Sequence, residues 1–205
     1  KALGLRAEKY LGMQWQTFKE GSAVSLCIHM DEYIDGLKGT GISSRDDPGR
    51  PLDADELAVY RSTLAKARWP VNRVAPELTY GVGALAQHNT NQVGDIKVYH
   101  AVELDKLVKR LQDIKREGGA RLFIRKLDLR RLVCLTYFDA SFAQELGLKS
   151  QSGMFSVLTD HDVTSGSVIG SLVEFESSTI QRVARSTMVA ESAALSKSLD
   201  RQLYL

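Results

Sequence analysis

The sequence contains few cysteines, few prolines and no long apolar run. Its two cysteines, Cys27 and Cys134, are too few and too widely separated to indicate a disulfide framework, which fits an intracellular, reducing setting. The longest apolar run, residues 132–138, is far shorter than the roughly 20 residues that span a bilayer, and no basic-then-apolar leader opens the chain. Four prolines and 43% hydrophobic residues argue against wholesale disorder. We therefore expect a folded intracellular protein, in the cytoplasm or the nucleus, without a membrane partner.

The length of 205 residues allows one large domain or two small ones. Because the chain begins at Lys1 and lacks an initiator methionine, we expect it to be a fragment of a longer protein.

Positive charge is modest overall but concentrated in one window. The net charge is +2, whereas residues 106–131 contain ten basic and three acidic side chains and carry a net charge of +7. Such a stretch can neutralise nucleic-acid phosphates, and the candidate contacts in its first part are Lys106, Lys109, Arg110, Lys115 and Arg116. The same composition is typical of a solvated helix face followed by a charged strand edge. Composition alone leaves both interpretations open.

A β-hairpin is predicted within residues 7–30, where two β-rich segments flank a glycine turn. Cys27 and His29, at alternate positions of its second strand, are residue types that bind metal, but packing within the hairpin is the preferred interpretation. A short helix should follow, and residues 38–55 are predicted to form a loop.

Three further helices are predicted in the middle of the chain. The first is capped by Asp53 with Glu56 three residues on, and it should end or kink near Pro70. The second starts near Pro76 and is weakened by two glycines. The third, over residues 102–117, is the clearest, with an apolar stripe of Leu104, Leu107, Val108, Leu111 and Ile114.

After Arg121 the pattern changes from helical to strand-like. Three strands are predicted within residues 121–141, 153–159 and 166–177, followed by a closing helix from about Ser186 to Leu205. The core stripe predicted for this helix is Met188, Leu195, Leu199 and Leu203.

Two carboxylates are predicted to stand where loss of hydration is costly. Asp139 ends the apolar run of the first of these strands, and Glu191 precedes Leu195 by four residues on the closing helix. A strand aspartate that faces a helix glutamate can hold Mg²⁺, which takes oxygen ligands. Alternatively, Asp139 accepts turn hydrogen bonds at the end of its strand, and Glu191 lies at the solvated rim of its helix.

Five motifs stand in a fixed order over nearly the whole chain: KYLGMQ (9–14), YRSTLAKARWPVNRVAPELTYGVGALAQ (60–87), YFDASFA (137–143), KSQSGMFSVL (149–158) and ARSTMVAESAAL (184–195). Together they resemble the copia-type LTR retrotransposon Pol polyprotein, from the end of the reverse-transcriptase palm into RNase H. The third motif is similar to the family's Asp-Ala-Asp-Trp-Ala, and the fifth to its Ser-Ser-Thr-Glu-Ala-Glu helix. Four residues depart from the family's pattern: Ala75, Ser141, Phe142 and Val189.

The resemblance implies an α+β protein in two parts. Residues 1–118 would be a helical and hairpin segment of the reverse-transcriptase thumb and connection. Residues 119–205 would be an incomplete RNase H-like unit, a three-stranded antiparallel sheet plus a helix. Asp139 and Glu191 would be its first two catalytic carboxylates and ligands of Mg²⁺.

The parent activity implied by the resemblance is Mg²⁺-dependent, two-metal hydrolysis of the RNA strand of RNA–DNA hybrids. The expected partners are the hybrid, or another nucleic acid, and the rest of the Pol polyprotein. Because the polymerase aspartates and the remaining RNase H acids would lie outside residues 1–205, the chain is expected to be inactive alone. The alternatives are a non-catalytic nucleic-acid-binding or scaffold module with an RNase H-like fold, and a decayed element.

Overall fold

The computed structural model describes residues 8–20, 23–43, 45–88, 95–145, 149–181 and 183–203. The chain forms two compact units, one of Met30–Arg121 and the other of Lys1–His29 with Leu122–Leu205. The described residues contain five α-helices and two antiparallel sheets, so the prediction of an α+β fold is confirmed. None of the helices in these ranges is both long and apolar enough to cross a membrane.

The helical unit contains α1 (Asp31–Asp35), α2 (Ala54–Val74), α3 (Thr79–Gln87) and α4 (Val98–Arg116). A short 3-10 turn at Pro76–Leu78 precedes α3. Helix α4 begins four residues earlier than the sequence predicted, and its predicted apolar stripe is buried as expected: Leu104, Leu107, Val108, Leu111 and Ile114. Helices α1, α2 and α3 all pack against α4, which is therefore the centre of this unit.

Helix α2 starts as the sequence predicted. The Asp53 carboxylate accepts the Glu56 backbone N–H at 2.8 Å, and the Glu56 carboxylate accepts the Asp53 backbone N–H at 3.0 Å. Two of the N–H groups that every helix start leaves without helical partners are thereby satisfied. Arg50 donates to both Glu56 carboxylate oxygens at 2.8 Å. These hydrogen bonds are the main reason why the pKa of Glu56 falls to about 2.

The sequence predicted that α2 would end or kink near Pro70; the helix does not end there, because it continues to Val74. A proline inside a helix removes the hydrogen bond to the carbonyl four residues earlier, which here belongs to Lys66. The Tyr33 hydroxyl donates to that Lys66 carbonyl oxygen at 3.3 Å. Pro70 itself is buried. A substitute donor and the burial of the ring together let the helix pass through the proline.

The β-rich unit contains a four-stranded sheet in the order β1 (Glu8–Tyr10), β2 (Met13–Glu20), β3 (Ala23–His29) and β4 (Arg121–Arg125). The predicted hairpin is present as β2 and β3. Cys27 and His29 are both buried in β3, as their packing interpretation predicts. The prediction of one strand within residues 121–141 is corrected: β4 lies next to β3 in this sheet, and the next strand begins only at Val133.

The predicted domain boundary after residue 118 lies close to the end of the helical unit at Arg121. The prediction assigned residues 1–29 to the same domain as the helices, whereas their contacts group them with Leu122–Leu205. The pairing of β4 beside β3 accounts for this grouping, because the sheet joins strands from before and after the helices.

A second sheet of three antiparallel strands has the order β5 (Val133–Glu145), β6 (Lys149–Thr159) and β7 (Ser171–Thr179). A 3-10 turn, Val163–Ser165, lies between β6 and β7; Asp162 caps its start, and Gly166, with a φ of 77°, follows its end. Helix α5 (Thr187–Gln202) follows and packs on β5 and β6. The Ser186 hydroxyl caps α5 by accepting the Val189 backbone N–H.

The predicted core stripe of α5 is wrong. Its apolar members Met188, Leu195, Leu199 and Leu203 are exposed by 41–83%. The buried side of the helix instead carries Ala190, Ala194 and Ser198, which follow one another at intervals of four residues. Small side chains let the helix axis approach the sheet closely, and that closeness leaves no room for leucine at these positions.

This orientation of α5 predicts different effects of substitution on its buried and exposed sides. Ala194→Leu should lower the free energy of unfolding by about 1–3 kcal/mol, because the larger side chain must be forced between helix and sheet. The matched variant Leu199→Ala should change it by less than about 0.5 kcal/mol, because Leu199 is exposed. Urea unfolding measures both values. A larger loss for Leu199→Ala than for Ala194→Leu would mean that the apolar stripe faces the sheet.

Candidate functional site

The side of the second sheet that faces α5 is marked by a chain of hydrogen bonds. The Gln202 side chain of α5 donates to the Thr136 hydroxyl of β5 at 2.6 Å, and Thr136 and Ser156 of β6 share a hydrogen bond at 2.8 Å. Successive side chains of a strand point to opposite faces. Thr136, Phe138 and Ala140 therefore lie on the α5 side of β5.

Asp139 consequently lies on the opposite face of β5, away from α5. It is exposed, and its partner across the strands is Gly153. On the same face the rings of Tyr137 and Phe155 stack with their centroids 4.8 Å apart. Phe155 in turn pairs directly with Phe175 of β7. Asp139 thus stands beside a row of three aromatic side chains on an open sheet face.

Glu191 lies in the second turn of α5 and is half-buried at the edge of the helix face that carries Ala190 and Ala194. The structure therefore places Asp139 and Glu191 on opposite sides of β5. In this arrangement the two carboxylates do not fit one shared Mg²⁺. Within the described ranges, no group of three or more His, Cys, Asp or Glu side chains is arranged to hold a metal ion. The catalytic roles of both residues stay predictions.

The sheet face beneath α5 carries an ion-pair cluster that the sequence did not reveal. Lys197 contacts Glu176 and the Ser178 hydroxyl, and Arg201 donates to Glu176 at 3.0 Å. Burial alone would raise the pKa of Glu176, but Lys197 and Arg201 hold it below its ordinary value. Glu176 is therefore ionised at neutral pH, and its charge is compensated by α5.

The basic side chains predicted to contact nucleic acid all belong to α4, and most of them already have acidic partners. The pairs are Lys106–Glu103, Arg110–Glu117, Lys115–Asp35 and Arg116–Asp113. Lys109 is exposed, and among the described residues no carboxylate is paired with it. Nucleic-acid binding by this helix would therefore have to compete with four ion pairs, which lowers the gain from each phosphate contact.

A different basic surface lies on α2 and was missed by the sequence interpretation. It is a groove of about 420 Å³ that we call the arginine groove, lined by Arg61, Leu64, Ala65, Arg68, Trp69, Asn72, Arg73 and Ala86. Arg73 lies over the Trp69 ring, with 4.5 Å from its guanidinium carbon to the ring centroid. The signal was present in the sequence: residues 61, 65, 68, 69, 72 and 73 share one face of a helix.

A cluster of rings lies at the start of α4. The His100 ring centroid is 4.4 Å from that of His88 and 3.9 Å from that of Tyr99. His100 is only 3% exposed, and its Nδ1 accepts the Lys97 backbone N–H at 3.0 Å. The pKa of His100 is lowered to about 4, mainly by burial of the ring and to a smaller extent by the neighbouring His88. The ring is therefore neutral at pH 7.

Comparison with known proteins adds no relative, because no protein-family model, curated protein or solved structure matches this chain.

The neutral His100 predicts a loss of stability in acid. An unfolded histidine has a pKa of about 6.5, so between pH 6.5 and 4 the unfolded state binds more protons than the folded state. The free energy of unfolding should therefore fall by about 3 kcal/mol more in the wild type than in His100→Gln as the pH drops from 7 to 4. Urea unfolding across this range measures the difference. The control is His161→Gln, because His161 is exposed. Parallel pH curves for wild type and His100→Gln would contradict the prediction.

Proposed function

We propose that this chain is a nucleic-acid-binding segment of a retrotransposon Pol polyprotein, from the region that joins reverse transcriptase to RNase H. The parent activity would be hydrolysis of the RNA strand of RNA–DNA hybrids, with Mg²⁺ as the cofactor of the complete enzyme. The segment itself would bind the hybrid without cutting it.

One observation carries this proposal. Three antiparallel strands stand in chain order, β5-β6-β7, and are followed by a helix that packs on β5 and β6. Asp139 lies on the first of these strands and Glu191 near the start of the helix. Those are the elements on which the resemblance expects the first two RNase H carboxylates. The β-rich unit is therefore compatible with the first part of an RNase H-like fold.

The position of the carboxylates favours binding over catalysis for this chain. Two-metal hydrolysis needs acidic ligands that converge on ions about 4 Å apart. Asp139 and Glu191 project to opposite sides of β5, so these two residues alone offer no such convergence. A protein that only binds a hybrid needs phosphate contacts and a fitting shape, and it needs no convergent carboxylates.

The test is binding and cleavage of a labelled RNA–DNA hybrid by the 205-residue chain, in Mg²⁺ and in EDTA. We expect binding in both, no cleavage, and a Kd that rises with salt as phosphate contacts are screened. Asp139→Asn and Glu191→Gln should each bind within about twofold of the wild type, because neither carboxylate would be needed for binding. The matched control is Asp200→Asn, which removes one exposed carboxylate from α5.

Either of two results would overturn the proposal. Cleavage that needs Mg²⁺ and disappears in Asp139→Asn would make the chain a nuclease, with Asp139 as a catalytic residue. An absence of hybrid binding even at low salt would remove the nucleic-acid function altogether.

A further inference from the structure

The arginine groove combines positive charge with a flat aromatic surface. It lies along α2, with Ala86 of α3 on its other side. Three of its lining residues are arginines, and among the described lining residues none is acidic. Between Leu57 and Pro76 the sequence contains four basic and no acidic residues. The described lining of the groove is therefore suited to an anion.

The charges in the groove differ from those on α4. Four of the five predicted contacts on α4 are paired with carboxylates, whereas Arg68 is exposed and no carboxylate partner is described for it. An arginine fork can hold a phosphate with two parallel hydrogen bonds, and this geometry is lost once a carboxylate occupies it. Arg68 in the groove therefore remains available to bind a phosphate, whereas most of the basic side chains on α4 are already paired with carboxylates.

Trp69 indicates which class of anion the groove would bind. Its ring is half-buried in the groove, and Arg73 lies against it at 4.5 Å. Indole rings and guanidinium planes both stack on nucleobases, and alternation of such groups with cationic side chains is typical of single-strand binding surfaces. A simple inorganic anion or a phosphorylated peptide would use the arginines but would leave this planar surface without a role.

The shape of the groove favours an unpaired strand over a duplex. Its volume of about 420 Å³ is that of a pocket for one small ligand. A base within a duplex is covered by its neighbours on both faces, so a recessed ring cannot reach it. A base of a single strand is free to turn into the groove while its flanking phosphates meet the arginines.

We propose that the arginine groove binds single-stranded nucleic acid, with one base stacked on Trp69 and the flanking phosphates held by Arg68 and Arg73. This inference rests on the proposed function and deepens it. It adds a binding site for a single strand, in the helical unit, to the proposed binding of the hybrid. Asn72 adds an amide that can donate to and accept from the edge of the base.

Tryptophan fluorescence gives a direct test. The chain contains two tryptophans, so Trp15→Phe leaves Trp69 as the only reporter. In that background a single strand of about 12 nucleotides, as DNA or as RNA, should quench the fluorescence on binding. Trp69→Ala, followed by anisotropy of a labelled strand, should weaken binding at least about tenfold through the lost stacking, and Trp69→Phe should recover part of it.

The arginines are tested by Arg68→Gln combined with Arg73→Gln. This variant should bind the strand about tenfold more weakly and lower the slope of log K against log salt by about 1.4, because two phosphate contacts are lost. The matched control, Lys38→Gln combined with Lys66→Gln, removes two exposed charges that do not line the groove and should change binding by less than about twofold. Thermal unfolding confirms that each variant is folded.

Three results would overturn the inference. The first is equal loss of affinity in the groove and control variants, which would indicate general attraction of a polyanion. The second is equal quenching of Trp69 by inorganic polyphosphate, which would indicate recognition of phosphate without a base. The third is wild-type binding of the strand by the groove variants; hybrid binding measured in parallel would then decide whether the proposed function itself survives.

Discussion

The close approach of α5 to β5 and β6 is the constraint on which the β-rich unit depends. Ala190, Ala194 and Ser198 are buried where the helix meets the sheet, and the sheet presents equally small residues such as Ser152 and Ser156. Small side chains give little apolar burial, so part of the specificity must come from polar contacts. The ion pairs of Lys197 and Arg201 with Glu176 on β7 provide them. Rotation of α5 about its axis would break these pairs and drive larger side chains into the sheet.

The register of β5 against β6 determines where the acidic residues face. A slip of one residue would turn Asp139 toward α5, but it would also separate Thr136 from Ser156 and unstack Tyr137 from Phe155. Each of these contacts belongs to a continuous register from Val133 to Ser141. The position of Asp139 on the open face is therefore a consequence of the whole strand pairing, and a rotamer change cannot reverse it. Any shared metal site with Glu191 would require a different register or a different helix orientation.

The sequence correctly predicted those elements that are determined by residues close to one another along the chain. The capping pair of Asp53 and Glu56, the stripe of α4 and the hairpin of β2 and β3 are each encoded by residues close in sequence. The continuation of α2 through Pro70 could not be predicted this way, because it involves a donor from Tyr33, more than thirty residues away. The orientation of α5 was equally hidden: the leucines gave the stronger periodic signal, but the sheet accepts only the alanine face. Hydrophobicity alone indicates which stripe is apolar, and it does not indicate which stripe meets a close partner.

The same reasoning applies to charge. The window 106–131 carries a high net charge in the sequence, yet folding brings Asp35 to Lys115 and Asp31 to Arg121, so distant carboxylates neutralise part of it. The arginine groove has fewer basic residues, but its other described lining residues are neutral and Trp69 lies beside Arg73. Attraction for a phosphate depends on the charge left after folding and on the solvation of each arginine, and a count along the sequence measures neither. A nucleic-acid surface in this chain is therefore better sought where basic residues lack acidic neighbours in space than where they are most numerous in sequence.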